Sequence, residues 1–381
     1  MEEWFDTVIV KQAPGIGPAL ARAALFPLSI TYGAAIEFYK LLFRMGVLRT
    51  VRLPCRVVSV GNLTMGGVGK TVAVQALATA LEDAGYRCAI LSYGFRAEHE
   101  GPYGIVSDRS QALMSAREAG DEAFLLAASL PGVPVLIGKR RPVSGKVALE
   151  RFQPDVIVLD DAFQHWRLYR DIDLVLLDAR DPLGNGRLFP AGLLRESPRS
   201  LGRATACILT RADRCTDVEI AASRRRVHSL APRAAIHETR HQLGPWYRVR
   251  PGSYAAGEPE PWRPEAGERL FVVSGIGQNQ SFYETIRNGG VPIGGALAYP
   301  DHHLYTTADV GRILREASGC SSVVTTEKDA VKLTAIWPDG IPLLAAPVHL
   351  DGISPAEWLT LCGFDGPRQN SEGAVSSVPK P

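Results

Sequence analysis

The run Val57-Val58-Ser59-Val60 reads as a short buried strand and ends in Gly61. The loop Gly61-Asn62-Leu63-Thr64-Met65-Gly66-Gly67-Val68-Gly69-Lys70-Thr71 follows. A helical pattern then runs through Val74, Leu77, Ala78 and Leu81. Strand, glycine-rich loop, Gly-Lys-Thr and helix together are the context a phosphate loop requires. Glycines let backbone N–H groups close around phosphate oxygens, and the helix N-terminus adds a favourable dipole. In that reading Thr64, Met65, Gly66, Gly67, Val68, Gly69, Lys70 and Thr71 hold a nucleotide. Lys70 reaches the β/γ-phosphates, and the Thr71 hydroxyl ligates Mg²⁺. Thr64 departs from the usual GxxxxGK[ST] pattern, which has glycine there. The competing reading is a chance glycine-rich turn before a helix.

A phosphate loop needs a metal-organising carboxylate at the end of a neighbouring strand. Asp155-Val156-Ile157-Val158-Leu159-Asp160-Asp161 supplies one, a buried run ending in two aspartates. Asp160 and Asp161 are candidates to hold Mg²⁺ directly or through water. Acidic pairs after a strand also serve simply as helix caps.

At 381 residues the chain is long enough for about two domains. Its formal net charge of +2 gives no footing for a nucleic-acid partner. The densest basic run, Arg224-Arg225-Arg226, reads as a solvated helix face. Six cysteines lack any CxxC pair or metal-ligand spacing, as expected in a reducing compartment. The opening Met1-Glu2-Glu3 lacks the basic start of a secretory signal, so a cytoplasmic location is expected.

Residues 19–48 are apolar-rich, but only 14 residues separate Arg22 from Glu37, short of the ~20 needed to span a bilayer. Ser29, Gly33, Glu37, Lys40 and Arg44 mark a polar stripe at helical spacing. Ile30, Ala34, Phe38, Leu41, Leu42 and Met45 fall on other faces, and Arg49, Arg52 and Arg56 follow. Such a helix either lies in a membrane interface or packs on the protein's own core, and the residues leave both open.

Val60-Gly61-Asn62-Leu63-Thr64, with Gly66-Gly67 and Gly69-Lys70-Thr71, resembles the signature of the tetraacyldisaccharide 4'-kinase family. Further blocks agree in order: Gly120-Asp121-Glu122, Asp160-Asp161-Ala162-Phe163-Gln164-His165 with Arg170-Asp171, and Gly184-Asn185-Gly186-Arg187-Leu188. Pro190-Ala191-Gly192, Leu194-Arg195-Glu196, Asp301-His302-His303 and Thr326-Glu327-Lys328-Asp329-Ala330-Val331-Lys332-Leu333 complete the set. Thr64 is itself part of the family's pattern.

The resemblance implies transfer of the ATP γ-phosphate to the 4'-hydroxyl of a lipid A disaccharide precursor. The setting it implies is the cytoplasmic face of an inner membrane, with no obligate protein partner. It also favours the interfacial reading of the N-terminal helix, because acyl chains keep the substrate in the bilayer. By similarity Asp121 is the base that takes the hydroxyl proton, and His302 orients it. On the residues alone, Asp121-Glu122 is the acidic first turn of a helix. Ala123 and Ala162 replace a family proline and glycine. Ser92-Tyr93-Gly94-Phe95-Arg96 stands where the family shows Ser-Arg-Gly-Tyr-Gly, near its sugar-lipid site.

Strands near 56–60, 87–91, 133–137, 155–160, 173–178 and 205–210 alternate with helical stretches, which predicts a doubly wound, mostly parallel α/β sheet. A second, smaller α/β unit has strands near 270–274, 293–298, 322–325 and 343–348, with helices near 279–288 and 307–317. The division expected is an N-terminal helical segment (1–50), a P-loop core (51–240), a linker (241–268), the C-terminal unit (269–365) and a disordered tail (366–381). Two rival functions survive: a P-loop ATPase or GTPase acting on a partner, and a non-catalytic lipid binder. Thr210-Arg211-Ala212-Asp213 faintly resembles a guanine-reading loop, with arginine in the place of its lysine.

Overall fold

The computed structural model describes residues 6–10, 14–249, 261–262, 267–277 and 279–368. Eight strands form the larger sheet: β1 Arg56–Asn62, β2 Cys88–Ser92, β3 Gly104–Ser107, β4 Val135–Ile137, β5 Val156–Asp160, β6 Ile172–Asp178, β7 Ala206–Thr210 and β8 Ala235–Glu238. Their order is β3-β4-β2-β5-β1-β6-β7-β8, and only β3, at the edge, runs antiparallel to its neighbour. β-branched and aliphatic residues fill β1, β5 and β6 because both sheet faces are covered. β1 lies between β5 and β6, so the phosphate loop and the aspartate pair emerge side by side from adjacent parallel strands. Ligands bind at this end of such sheets.

The helices are α1 Ile16–Arg44, α2 Lys70–Asp83, α3 Ala116–Ala119, α4 Asp121–Ser129, α5 Arg141–Phe152, α6 Asp217–Leu230, α7 Asn279–Asn288, α8 Thr307–Glu316, α9 Glu327–Leu333 and α10 Pro355–Leu361. Val74, Leu77, Ala78 and Leu81 of α2 are fully buried against the sheet, in the spacing the sequence showed. Burying each such leucine stabilises the fold by roughly 1.5–3 kcal/mol.

A second sheet contains β10 Trp246–Val249, β11 Pro261–Trp262, β12 Leu270–Ser274, β13 Ile293–Ala298, β14 Ser322–Thr325 and β15 Leu343–Ala345, ordered β11-β10-β15-β14-β12-β13. β9 Arg240–Leu243 and β16 Val348–Asp351 pair antiparallel in a ribbon between the two sheets. The stretch expected as a linker from 241 therefore opens with paired strands: β9 pairs with β16, and Tyr247, Arg248 and Val249 of β10 pair with β15, with Trp246 and Val249 both buried. Its remaining residues 250–260 and 263–266 lie outside the described residues, as does the expected tail from 369. The chain does not end on the second sheet. Trp358, Leu359 and Cys362 return to the core that holds Val74 and Leu77 of α2, and Arg368 Nη1 reaches Asp155 at 2.7 Å.

α1 is long and apolar enough to cross a membrane by length and composition alone. Ser29, Gly33 and Lys40 of its polar stripe face the body, while Glu37 and Arg44 stay exposed. Ser29 Oγ donates to the Leu188 carbonyl at 2.9 Å and accepts from Ala191 N at 2.8 Å, while Tyr32 donates to the Arg195 carbonyl at 3.0 Å. Lys40, 4% exposed, pairs with Glu196 at 3.0 Å and with Ser200 Oγ at 2.8 Å. Gly33 leaves room for Leu188, whose Cδ1 would lie 2.7 Å from an added Cβ. Leu20, Ile30 and Phe38 face outward, each about 60% exposed.

Candidate active site

The phosphate loop is braced from several sides. Asn62 Nδ2 donates to the Thr64 carbonyl, and Met65 N donates to the Leu193 carbonyl at 2.7 Å. Arg211 donates to the Gly67 carbonyl and to Asp178 Oδ2 at 2.6 Å. Gly66 and Gly67 have open space where side chains would project, which leaves backbone accessible to a ligand. Gly69 is left-handed (φ +87°), and a Cβ there would sit 2.8 Å from His241 Nε2, so only glycine fits before Lys70 opens α2.

At the end of β5 the two aspartates have different partners. Asp160 is 4% exposed, and one oxygen accepts from Ser92 Oγ at 3.0 Å. Burial, then the charges of Glu122 and Asp161, push its carboxyl up to about 6. The buried Arg141 guanidinium donates to the Asp160 and Asp161 carbonyls rather than to the carboxylates. Asp161, at φ +47°, turns its side chain out to Arg195, which reaches both oxygens at 2.8 Å, and to Lys70 at 3.6 Å. Burial raises its pKa, but Lys70 and Arg195 outweigh that and hold it below the usual carboxylate range.

Asp121 opens α4 and His302 follows β13, yet His302 Nδ1 lies 3.0 Å from Asp121 Oδ2. His302 is held in a left-handed conformation (φ +57°), with its carbonyl accepting from Arg96 at 2.8 Å and its ring 5.2 Å from that of Phe95. Two residues of the divergent Ser92–Arg96 segment therefore position the histidine, while Ser92 holds Asp160. Lys328 Nζ, from α9, lies 3.1 Å from Glu122 Oε1 and 3.2 Å from His302 Nε2. One turn on, Lys332 Nζ is 2.9 Å from Asp329 and 3.9 Å from Asp121. Burial raises the Asp121 carboxyl, but the His302 hydrogen bond and the Lys328 and Lys332 charges bring it down to about 2.

A cavity of about 760 Å³ joins these groups. Met65 to Thr71, Asp160 and Asp161 line one side, and Glu122, His302 and Lys328 another; Tyr32 and Ile36 of α1 form part of the wall. Of the sequence-predicted site residues, all line this chamber except Thr64, which is buried at 7% exposure, and Asp121, whose side chain is 10% exposed behind His302. Among the described residues no group of three or more His, Cys, Asp or Glu forms a metal cluster. A buried carboxylate and a threonine beside a phosphate loop suit magnesium, which takes one or two carboxylates and completes its shell with phosphate oxygens and water. Sequence reasoning assigned no role to Ser92, Arg141, Arg195 or the two lysines. Arg195 and the lysines stood inside quoted blocks, whereas nothing in the sequence marked Arg141.

A profile described as tetraacyldisaccharide-1-P 4'-kinase matches residues 21–360. The tetraacyldisaccharide 4'-kinase of Syntrophus aciditrophicus is 42% identical over 330 residues, 82% of this chain and 87% of that one. The protein of the same name from Anaeromyxobacter sp. strain K is 39% identical over 373 residues, 97% and 95% of the two chains. LpxK from Aquifex aeolicus, crystallised with ATP, superposes with a TM-score of 0.68 at 30% identity, covering 87% of this chain and 95% of that one. The ordered motifs, the shared fold and these matches agree that this chain belongs to the tetraacyldisaccharide-1-P 4'-kinase family.

Proposed function

We propose that this chain, an ATP-dependent 4'-kinase of lipid A synthesis by family, takes its disaccharide from a membrane surface and uses Asp121 as the base. The observation that carries the reading is one chamber lined both by the phosphate loop and by His302, the partner of Asp121. Phosphoryl transfer depends on positioning and charge neutralisation more than on covalent chemistry. Lys70 and the loop amides hold the phosphates. Thr71 and Asp160 would hold Mg²⁺, because Asp161 is already engaged by Arg195 and Lys70, and Asp161 would contribute through water. Magnesium bound there would neutralise charge on the β- and γ-phosphate oxygens.

Asp121 stays ionised at neutral pH and accepts the 4'-hydroxyl proton late, as the oxygen–phosphorus bond forms. His302 keeps the carboxylate aimed. The P-loop core (51–240) and the C-terminal unit (269–365) supply opposite walls, so their closure assembles the site. In α1, Ser29 and Lys40 dock on the body while Leu20, Ile30 and Phe38 face outward, which supports an interfacial helix at the cytoplasmic face of the inner membrane. The Thr210–Asp213 loop does not favour the GTPase alternative, since Arg211 is committed to Gly67 and Asp178.

The test is transfer of labelled γ-phosphate from ATP to a tetraacyldisaccharide 1-phosphate in mixed micelles. Phosphate release without lipid labelling would point instead to an ATPase.

A further inference from the structure

His302 has two ring nitrogens, and its role depends on which one carries the proton. Nδ1 faces Asp121 at 3.0 Å, and Nε2 faces Lys328 Nζ at 3.2 Å. An ammonium only donates hydrogen bonds. Nε2 must therefore present its lone pair to Lys328, which leaves the proton on Nδ1, aimed at the carboxylate. Glu122 and Asp301 also approach Nε2, each at 3.9 Å, and would favour a proton there. Lys328 is closer and binds both of these acids itself, at 3.1 and 3.5 Å.

We propose that Lys328 is the positioning residue that sets the tautomer of His302 and thereby directs the Nδ1 proton to Asp121. It supplies from α9 what neither histidine nor aspartate supplies: a donor that claims the Nε2 lone pair and pins the ring's orientation. Burial works against the ammonium, but Glu122, Asp301 and Asp121 outweigh it and keep Lys328 charged. The remaining neighbours, Phe95 packed on the ring and Arg96 on the backbone carbonyl, leave both nitrogens to these partners. A histidine whose orienting partner is lost falls into the wrong tautomer, and wrong tautomers are costly where the ring must orient a reacting group. This assignment refines the proposed role of the Asp121–His302 pair and rests on it.

The experiment is ¹⁵N NMR of histidine-labelled full-length protein in detergent, with His302→Gln identifying the signal, beside steady-state kinetics. In the wild type, Nδ1 is expected to be protonated and Nε2 unprotonated. Lys328→Met should shift population to the Nε2-protonated form and lower kcat about tenfold or more. Its KM for ATP should stay within about threefold of the wild type. Lys328→Arg should restore both the tautomer and most of kcat. An unchanged ¹⁵N pattern in folded Lys328→Met overturns the proposal, as does a wild-type Nδ1 without a proton. If Lys328→Met fails to fold, the wild-type and Lys328→Arg spectra decide alone. Wild-type protein that shows the expected tautomer but phosphorylates no disaccharide would refute the proposed function and leave the assignment standing.

Discussion

His302 Nδ1 and Asp121 Oδ2 lie 3.0 Å apart although 181 residues separate them in sequence. One stands after a strand of the smaller sheet, the other at the start of a helix packed on the larger, so the pair exists only while the two halves are together. Replacing Asp121 with alanine should cut turnover about 10²- to 10⁴-fold, the range for losing a positioned proton acceptor. Nucleotide affinity should change by no more than about threefold. Calorimetric titration with an ATP analogue, run beside the transfer assay, checks the split. Loss of nucleotide binding would remove Asp121 from the role of base.

Chelation should abolish phosphate transfer, and added Mg²⁺ should restore it. Asp160→Asn should raise the Mg²⁺ concentration needed for half-maximal rate by more than Asp161→Asn does, since Asp160 keeps an oxygen free of side-chain cations. Titrating rate against metal for both variants gives the comparison, and the reverse order would exchange the two roles.

The sequence disclosed this architecture unevenly. All six strands predicted for the larger sheet are present, because continuous aliphatic runs such as Val156–Leu159 are buried on both faces. β3 and β8 escaped because four residues at a sheet edge carry little periodic signal. The phosphate loop was legible as local chemistry: a glycine forced to φ +87° and the lysine after it are neighbours in the chain. The Arg195–Asp161 and Lys328–His302 contacts were not, since nothing local to an arginine or lysine tells which distant carboxylate or ring it will meet.

The two faces of α1 should respond oppositely to substitution. Ile30→Asp or Phe38→Asp on the outward face should leave stability within about 0.5 kcal/mol and sharply weaken flotation with anionic vesicles. Lys40→Met should destabilise by about 3 kcal/mol, because Glu196, 1% exposed, keeps only Arg203. Chemical denaturation and vesicle flotation of the same variants separate the effects.

Acid sensitivity should have a histidine component. Burial first, then Arg141, Arg170 and Arg167, depress His165 to about 3, and burial with Arg211 depresses His241 to about 4. Each is neutral when folded but takes a proton in the unfolded chain below about 6.5. Their stabilising contribution is therefore complete above that pH and falls as the pH drops toward 4 and then 3. His165→Gln should flatten the dependence of unfolding free energy on pH between 6.5 and 4. An unaltered slope would mean that His165 is protonated in the fold.

The return of α10 to α2 gives the molecule a particular topology. The second sheet is inserted into the first body, entered through β9 and left through β16, so two antiparallel strands rather than one tether carry any relative motion. Such a double connection resists free swivelling and leaves bending across the ribbon as the easy direction. It also makes α10 a keystone: a chain cut after β16 would keep every lining residue of the chamber yet remove Trp358, Leu359 and Cys362 from the core they share with the phosphate-loop helix.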